Sequence, residues 1–267
     1  MIRVNGQTAD CVSAQDRGLA YGDGVFRTLR TEAGQPVWWD DHYAKLEADC
    51  SALMLDCPDQ TELRTEVCLV AEAGQGVVKI VLTRGAGARG YALPDEAAST
   101  CIVLASALPH HAHATDDIHA RWCDLKLARQ PRLAGVKHLN RLENVLARAE
   151  WQDPTIVEGL LCDDRGVVIS GVMSNAFWVK GGELFTPDLS QCGVAGVARM
   201  RLLRAAARLG IRTHTGHFPP AALLAADEVM ICNSIMGVRR VARLDDVAWS
   251  PAGWTTTLNN ALYEDVD

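Results

Sequence analysis

The sequence predicts an α/β protein with two domains, a smaller α+β domain over residues 1–112 and a larger, β-rich domain over residues 113–267. Hydrophobic residues make up 48% of the 267 residues and charged residues 22%, as is typical of a globular chain with a sizeable core. Short branched apolar runs alternate with longer amphipathic ones, which predicts both strands and helices. The domain boundary is placed in Leu108–Asp117, a polar stretch with one proline and three histidines.

The first domain is predicted to mix short strands with two helices. Apolar residues recur at helical spacing over Asp41–Leu55, and a second helix is expected over Gln60–Ala73. Gly76–Thr83 is too short and too rich in branched residues for a helix, which favours a buried strand. Further strands are expected at Ile2–Val4, Val25–Thr31, Pro36–Trp38 and Cys101–Ala105.

The second domain is predicted to begin with a strand near Ala120–Asp124, followed by a helix that starts at Lys137 and runs through Trp151. Hairpins are expected across Asp163–Gly166 and across Gly181–Gly182. A helix over Val197–Leu209 should end at Gly210, where glycine can adopt the left-handed cap conformation, and a buried strand should follow at Glu228–Cys232.

Charge and composition exclude several classes of function. The formal net charge of -7 argues against a nucleic-acid-binding protein, although a local arginine cluster could still bind a small anionic substrate. No apolar run approaches the roughly 18 residues that would span a membrane, and the N-terminus lacks a signal-peptide pattern, so a cytoplasmic location is expected. The nine cysteines lack zinc-site spacing, and His110, His111 and His113 read as a solvated linker, so no metal is expected.

Lys137 is the candidate nucleophile. It follows a small flexible residue in the segment Gly135-Val136-Lys137-His138-Leu139-Asn140-Arg141-Leu142-Glu143-Asn144. A lysine that is held away from solvent loses its proton more easily and can form a Schiff base. An ordinary solvated lysine at a helix start is the alternative.

This segment and the loop Thr83-Arg84-Gly85-Ala86-Gly87-Ala88-Arg89-Gly90-Tyr91 resemble those of the aminodeoxychorismate lyases. These belong to the fold-type IV pyridoxal-phosphate enzymes, as do the branched-chain and D-amino-acid aminotransferases. The resemblance extends from Asn5 to Asn233. It implies the fold-type IV, D-amino-acid aminotransferase-like architecture, a homodimer, and pyridoxal 5'-phosphate bound to Lys137.

A glycine-containing turn, Gly193-Val194-Ala195-Gly196-Val197, leads into the helix predicted from Val197. A helix N-terminus after such a turn can bind an anion, although an ordinary glycine turn that binds no ligand would have the same kind of sequence. The resemblance implies that the turn binds the cofactor phosphate, together with a pair past the strand at Glu228–Cys232 and a cation on the first long helix. The residues concerned are Gly196, Val197, Ala198, Asn233, Ser234 and Lys45, the last in place of the usual arginine.

The resemblance also places Ser170 where a glutamate normally pairs with the pyridine nitrogen, five residues before Asn175. A serine hydroxyl can donate to a neutral nitrogen, but it cannot stabilise a pyridinium by charge, so the pKa of that nitrogen should fall. A neutral ring is a weaker electron sink. Because elimination of a good leaving group depends on that sink less than transamination does, Ser170 favours a lyase.

Arg84 and Arg89 follow a predicted strand in a glycine-rich loop, which suits the binding of carboxylates, although a solvated basic turn is the alternative. The resemblance implies that Arg84, Arg89 and Tyr91 bind a substrate with two carboxylates. The reaction it implies converts 4-amino-4-deoxychorismate to p-aminobenzoate and pyruvate in folate biosynthesis. The alternatives are a fold-type IV aminotransferase for branched-chain or D-amino acids, and a weakened homologue.

Overall fold

A computed structural model describes residues 1–71, 74–87, 89–94, 98–109 and 117–264. Two compact units result: Met1–His110 with Val136–Asn140, and His111–Gly135 with Arg141–Asp267. The predicted histidine linker at His110, His111 and His113 lies outside the described residues. Within the described ranges, no helix is long and apolar enough to cross a membrane.

The first unit combines one antiparallel sheet with two long helices. Its described strands pair in the order β2-β1-β6-β5-β3-β4, and β3 pairs with β5 from Gly24–Thr83 to Thr31–Gly76. The elements are β1 (Ile2–Val4), β2 (Gln7–Thr8), α1 (Arg17–Tyr21), β3 (Gly24–Glu32), β4 (Gln35–Pro36), α2 (Trp39–Ala52), α3 (Gln60–Val70), β5 (Gly76–Thr83) and β6 (Thr100–Ala107).

The core of the first unit is built from the inward residues of β3 and β5 and the apolar faces of α2 and α3, including Leu29, Leu46 and Ile80. The predicted strand Gly76–Thr83 and the helix starting at Gln60 are confirmed as β5 and α3. Asp59 fixes the start of α3, because its side chain accepts hydrogen bonds from the amides of Thr61 and Glu62. The prediction of a strand over Pro36–Trp38 is wrong beyond Pro36, because Trp38 adopts a left-handed φ of 55° as the N-cap residue of α2.

Lys137 does not open a helix, and that prediction is wrong. The amide of Phe26 donates to the Lys137 carbonyl at 3.0 Å, and the amide of Leu139 donates to the Gly24 carbonyl at 2.9 Å. These bonds to β3 hold Val136–Asn140 extended, so α4 begins only at Leu142 and ends at Arg148. The segment therefore groups with the first unit, which differs from the predicted division that placed Lys137 in the second domain.

The second unit carries the larger sheet. Its described strands follow the order β12-β11-β10-β13-β14-β7-β8-β9, with β15 paired to β14 and with β11–β12, β14–β7 and β7–β8 parallel. The remaining elements are β7 (Ile118–Leu127), β8 (Ile156–Asp163), β9 (Val168–Gly171), β10 (Asn175–Lys180), β11 (Glu183–Pro187), α5 (Val197–Arg208), β12 (Thr213–Gly216), α6 (Pro220–Leu224), β13 (Glu228–Asn233), β14 (Gly237–Leu244), β15 (Val247–Ala248) and α7 (Trp254–Tyr263).

The predicted α/β class is confirmed by these two mixed units. The helix expected from Val197 ends one residue early, with Gly210 just past its end at a φ of 69°. The predicted hairpins are β8–β9 and β10–β11. The elements β12, α6, β14 and α7 were not predicted. Two of them have sequences that hide their structure: α7 begins with Trp254 and three threonines, and β14 carries three arginines among its apolar residues.

Candidate active site

The main chain around Lys137 is fixed by close backbone approach. The side-chain amide of Asn140 donates to the Gly22 carbonyl at 3.1 Å, and Gly22 has a left-handed φ of 64°. A Cβ at Gly22 would lie 2.5 Å from Asn140 Oδ1, and a Cβ at Gly24 would lie 2.3 Å from the Leu82 carbonyl. Both positions therefore require glycine, and the turn before β3 sets the position of the Lys137 segment.

The Lys137 side chain is half-buried and lies against an aromatic ring. Its Nζ is 4.2 Å from the centre of the Phe26 ring, within the range of a cation–π interaction. The Lys137 amide donates to Asp49 Oδ2 at 3.1 Å. A strand residue on β3 and a helix residue on α2 thus hold the amine-bearing residue from two sides.

Asp49 lies within a cluster of charged side chains. It is 1% exposed, and its carboxylate forms ion pairs with Lys45, one turn earlier on α2, and with Arg27 on β3. We call Arg27, Lys45, Asp49 and Lys137 the Asp49 cluster. Burial, followed by repulsion from Arg27 and Lys137, lowers the pKa of Lys45 to about 7. Burial also lowers the pKa of Arg27 to about 10.

Sequence reasoning did not assign Asp49 or Arg27 to the site. One signal was available: Lys45 and Asp49 are four residues apart on α2, which places them on one helix face. Asp49 also lies beside Cys50 and three residues after Leu46, both buried. An acid at the edge of a buried helix face needs a partner, and that partner is Arg27, which no local pattern identifies.

Arg84 is bound inside the first unit. Its Nε and Nη2 donate to the two oxygens of Asp23 at 2.9 and 3.0 Å, and its Nη1 and Nη2 donate to the carbonyls of Met54 and Leu53 at 2.7 and 2.8 Å. Burial alone would raise the pKa of Asp23, but hydrogen bonds from Arg84 and Arg17 bring it below its usual value. The geometry therefore makes Arg84 a structural cross-link and gives no support to its predicted contact with substrate.

The other two predicted substrate residues face solvent. Arg89 is exposed, and Tyr91 is 86% exposed with its ring 5.4 Å from that of Tyr21. Arg17 holds their loop, because its Nη1 donates to the Gly90 carbonyl at 2.9 Å. Both side chains are therefore accessible from solvent.

Ser170 is buried on β9, paired with Leu161 of β8. The turn that follows it is held by Glu158, a buried carboxylate that sequence reasoning missed. Glu158 accepts hydrogen bonds from the Ser174 hydroxyl at 2.7 Å and from the Val172 and Met173 amides at 3.0 and 3.3 Å. Burial raises the pKa of Glu158, against the effect of these donors. The carboxylate fixes the path from Ser170 to Asn175.

Asn175 fixes the start of α5. Its Nδ2 donates to the Val194 carbonyl at 2.8 Å, and its Oδ1 accepts from the Gly196 amide at 3.2 Å. A Cβ at Gly196 would lie 2.5 Å from that oxygen, so the approach requires glycine. Among the described residues, no side chain caps α5 and no acid lies in its first turn. The amides of Val197 and Ala198 and the helix dipole could therefore hold an anion here.

Asn233 shapes the turn between β13 and β14. Its Oδ1 accepts from the amides of Ile235 and Met236, both at 2.9 Å, and its Nδ2 donates to the Met173 carbonyl at 3.2 Å. Ser234 is half-buried in this turn. The Asn233 side chain thus organises the main chain, and the Ser234 hydroxyl is the better candidate ligand.

Comparison with known proteins identifies the family. The family described as amino-transferase class IV matches residues 24–244. An aminodeoxychorismate lyase from Vibrio harveyi is 35% identical over 91% of this chain and 90% of the relative. An aminodeoxychorismate lyase from Bacillus subtilis is 26% identical over 99% and 94%. The crystal structure of 4-amino-4-deoxychorismate lyase from Pseudomonas aeruginosa is 43% identical over the full length of both chains, with a TM-score of 0.94. The chain belongs to the amino-transferase class IV family.

Proposed function

We propose that the protein is a pyridoxal-phosphate-dependent 4-amino-4-deoxychorismate lyase that forms p-aminobenzoate and pyruvate in cytoplasmic folate biosynthesis. The observation that carries the proposal is the Lys137 amine, which lies 4.2 Å from the centre of the Phe26 ring on a residue whose main chain is bound by Asp49. The two relatives at 35% and 43% identity, both named for this activity, support the choice of reaction.

The residues present fit pyridoxal phosphate. The cofactor needs an amine for its aldehyde and an anion site for its phosphate, and the two groups are attached to adjacent ring carbons. Lys137 supplies the amine, and Lys45 is near enough for repulsion from Lys137 to lower its pKa. The uncapped start of α5, where a Cβ at Gly196 would meet Asn175, supplies main-chain donors for a phosphate.

The proposed roles follow from these contacts. Bound pyridoxal phosphate would act as the electron sink for the electron pair left when a proton is removed beside the substrate's nitrogen. Lys137 would hold the cofactor through its amine, and this amine, once the substrate's amine takes its place, would remove that proton as a general base.

Ser170 would favour the type of reaction, and Arg89 would bind the substrate. The buried Ser170 offers a hydroxyl where the resemblance expects a carboxylate, so the cofactor ring would be a weaker electron sink. Elimination would tolerate a weaker sink, because aromatisation of the product drives the reaction. Arg89 and Tyr91 would bind the substrate's carboxylates, while Arg84 would hold their loop through Asp23. Asn175, Asn233 and Ser234 would complete the phosphate site.

The direct test supplies 4-amino-4-deoxychorismate to the protein with pyridoxal phosphate and measures p-aminobenzoate and pyruvate together. We expect equal amounts of both products, and none from Lys137→Ala. If branched-chain or D-amino acids are instead converted to 2-oxo acids, the protein is an aminotransferase. If neither substrate is turned over, it is the weakened homologue suggested by Lys45 and Ser170.

Ser170→Glu tests the reason for preferring the lyase. The carboxylate should stabilise a protonated pyridine nitrogen and strengthen the long-wavelength absorption band of the bound cofactor. It should also increase amino transfer from D-alanine to the cofactor by about tenfold. Ser250→Glu, on an exposed residue of the same unit, is the matched control. An unchanged spectrum in Ser170→Glu would show that residue 170 does not face the pyridine nitrogen.

A homodimer is the proposed assembly. Helix α4 exposes Leu142, Val145 and Leu146, and Met173 in the same unit is 60% exposed. Clustered apolar side chains of this size are more typical of an interface than of free surface. Light scattering at micromolar concentration should give twice the 28.9 kDa chain mass. A monomer under these conditions would contradict the assembly without affecting the chemistry.

A further inference from the structure

Asp49 binds three other members of the first unit at once. One oxygen, Oδ2, accepts the Lys137 amide at 3.1 Å and also pairs with the Arg27 guanidinium. The other oxygen, Oδ1, pairs with Lys45 Nζ. The carboxylate is 1% exposed and Arg27 is 2% exposed, so water screens these charges little. A single side chain therefore links the main chain of Lys137 to Arg27 and Lys45.

We propose that Asp49 is a positioning residue for Lys137, which fixes the lysine's main chain and balances the charge of Arg27 and Lys45 around its amine. The proposal rests on the proposed function only in taking Lys137 as the cofactor lysine. Asp49 does not touch the reacting atoms in this role. It decides where the amine is held and how readily the amine gives up its proton.

The charged and titratable groups around Lys137 come from several elements. Arg27 comes from β3, and Lys45 and Asp49 come from α2. Lys79 on β5 lies 5.1 Å from the centre of the same Phe26 ring. Cys50 is close enough to interact with Arg27, and its hydrogen bond to Cys57, together with burial, raises the pKa of Cys50 so far that the thiol stays neutral. His42 on α2 is buried, and His138 is the next residue in the chain.

The signs of two substitutions separate this role from simple stabilisation. Asp49→Asn keeps the shape and an oxygen for the Lys137 amide but removes a negative charge, which favours the unprotonated amine. Arg27→Met removes a positive charge at similar length, which favours the protonated amine. A merely structural pair would lose stability in both variants without moving the titration of Lys137 in opposite directions.

The experiment measures the titration of the Lys137 amine itself. The full-length protein is freed of pyridoxal phosphate with hydroxylamine and dialysed, and it then reacts briefly with acetic anhydride across a pH series. Mass spectrometry follows acetylation of each lysine, since only the unprotonated amine reacts. The midpoint for Lys137 should fall by about one pH unit in Asp49→Asn and rise by about one pH unit in Arg27→Met.

Two further variants control the result. Glu47→Gln removes an exposed carboxylate from the same helix and should leave the midpoint unchanged. The double variant Arg27→Met/Asp49→Asn restores the net charge of the cluster and should return the midpoint to that of the wild type. If Arg27→Met fails to fold, Lys45→Gln, at a partly exposed side chain, replaces it and should raise the midpoint in the same way.

Midpoints that do not move, or that move in the same direction in Asp49→Asn and Arg27→Met, would overturn the proposal. The readout needs no bound cofactor, so it is distinct from failure of the proposed function. A protein that shows both shifts but never binds pyridoxal phosphate would keep Asp49 as the positioning residue of Lys137 and refute the lyase. A protein that binds the cofactor without showing the shifts would leave the lyase proposal standing and refute Asp49 as the positioning residue of Lys137.

Discussion

The Asp49 cluster in the first unit and the start of α5 in the second unit differ in the groups that they offer to a charged ligand. The cluster uses side chains brought together from β3, α2 and the segment Val136–Asn140. The start of α5 uses main-chain amides, set in place by Gly196 and the side chain of Asn175. A main-chain site depends on a few residues that permit one backbone path, whereas a side-chain site depends on the charge of every member.

This difference explains where the sequence departs from the pattern of the family it resembles. Gly196 and Asn175 agree with the expected pattern, because a Cβ at residue 196 would collide with the asparagine oxygen. Lys45 departs from it in the cluster, and Asp49 pairs with both Lys45 and Arg27. A set of charges can be rebalanced by paired changes, while a backbone turn offers few substitutes.

The largest expected effect comes from removing the amine of the Asp49 cluster. Lys137→Ala should lower kcat for p-aminobenzoate formation by about a thousandfold or more, because it removes both the Schiff-base partner and the general base. Lys79→Ala is the matched control, since Lys79 faces the same Phe26 ring. Product formation by Lys137→Ala at near wild-type rate would refute the assignment.

A second prediction separates a buried charged side chain from an exposed one. Arg84→Met should cost about 3 kcal/mol of folding free energy, because Asp23 and the carbonyls of Leu53 and Met54 lose their donor. For a chain of this size that lowers Tm by roughly 5–10 °C. Arg89→Met should leave Tm unchanged and raise KM by about tenfold. The reverse pattern would make Arg84 the substrate residue.

A third prediction breaks the main-chain site. Gly196→Ala places a Cβ 2.5 Å from Asn175 Oδ1, so the Asn175 side chain or the start of α5 must shift. We expect Kd for pyridoxal phosphate to rise by about tenfold or more, at a cost of about 1–3 kcal/mol. Gly74→Ala, where a Cβ would meet no atom within 4 Å, is the control. Equal affinity in the two variants would mean that this turn does not hold the phosphate.

The smallest expected effect sharpens the role of Lys45. Burial and its cationic neighbours lower its pKa to about 7, so the free amine predominates above that pH and its attraction for phosphate weakens. Lys45→Arg stays charged throughout. The ratio of wild-type Kd to Lys45→Arg Kd for pyridoxal phosphate should grow with pH, by about tenfold between about pH 6 and pH 8.5. A ratio that does not change with pH would contradict this role.

Local patterns predicted the elements that depend on nearby residues. The strand Gly76–Thr83 and the helix from Val197 to a glycine cap follow from periodicity and capping. The extended path of Lys137 did not, because its partners Gly24 and Phe26 lie more than a hundred residues away. The pairing of Arg27 with Asp49 was missed for the same reason, since nothing in either sequence neighbourhood identifies its partner.

The arginine loop shows the limit of a motif. The sequence places Arg84 and Arg89 in the same glycine-rich loop and assigns both to substrate. Arg84 is instead occupied by Asp23 and two carbonyls, while Arg89 is exposed. Residue type and spacing indicate a site, but whether an arginine is available to a ligand depends on which acceptors the fold brings to it.

The most direct measurement identifies the lysine that takes the cofactor. The protein is mixed with pyridoxal phosphate, reduced with borohydride, and digested for peptide mass spectrometry. Lys45 is a real competitor, because its lowered pKa makes it reactive near pH 7 and it belongs to the same cluster. We predict that the reduced pyridoxyl group is attached to Lys137 and that Lys137→Ala is unlabelled. Attachment to Lys45, or no attachment at any cofactor concentration, would contradict Lys137 as the cofactor lysine.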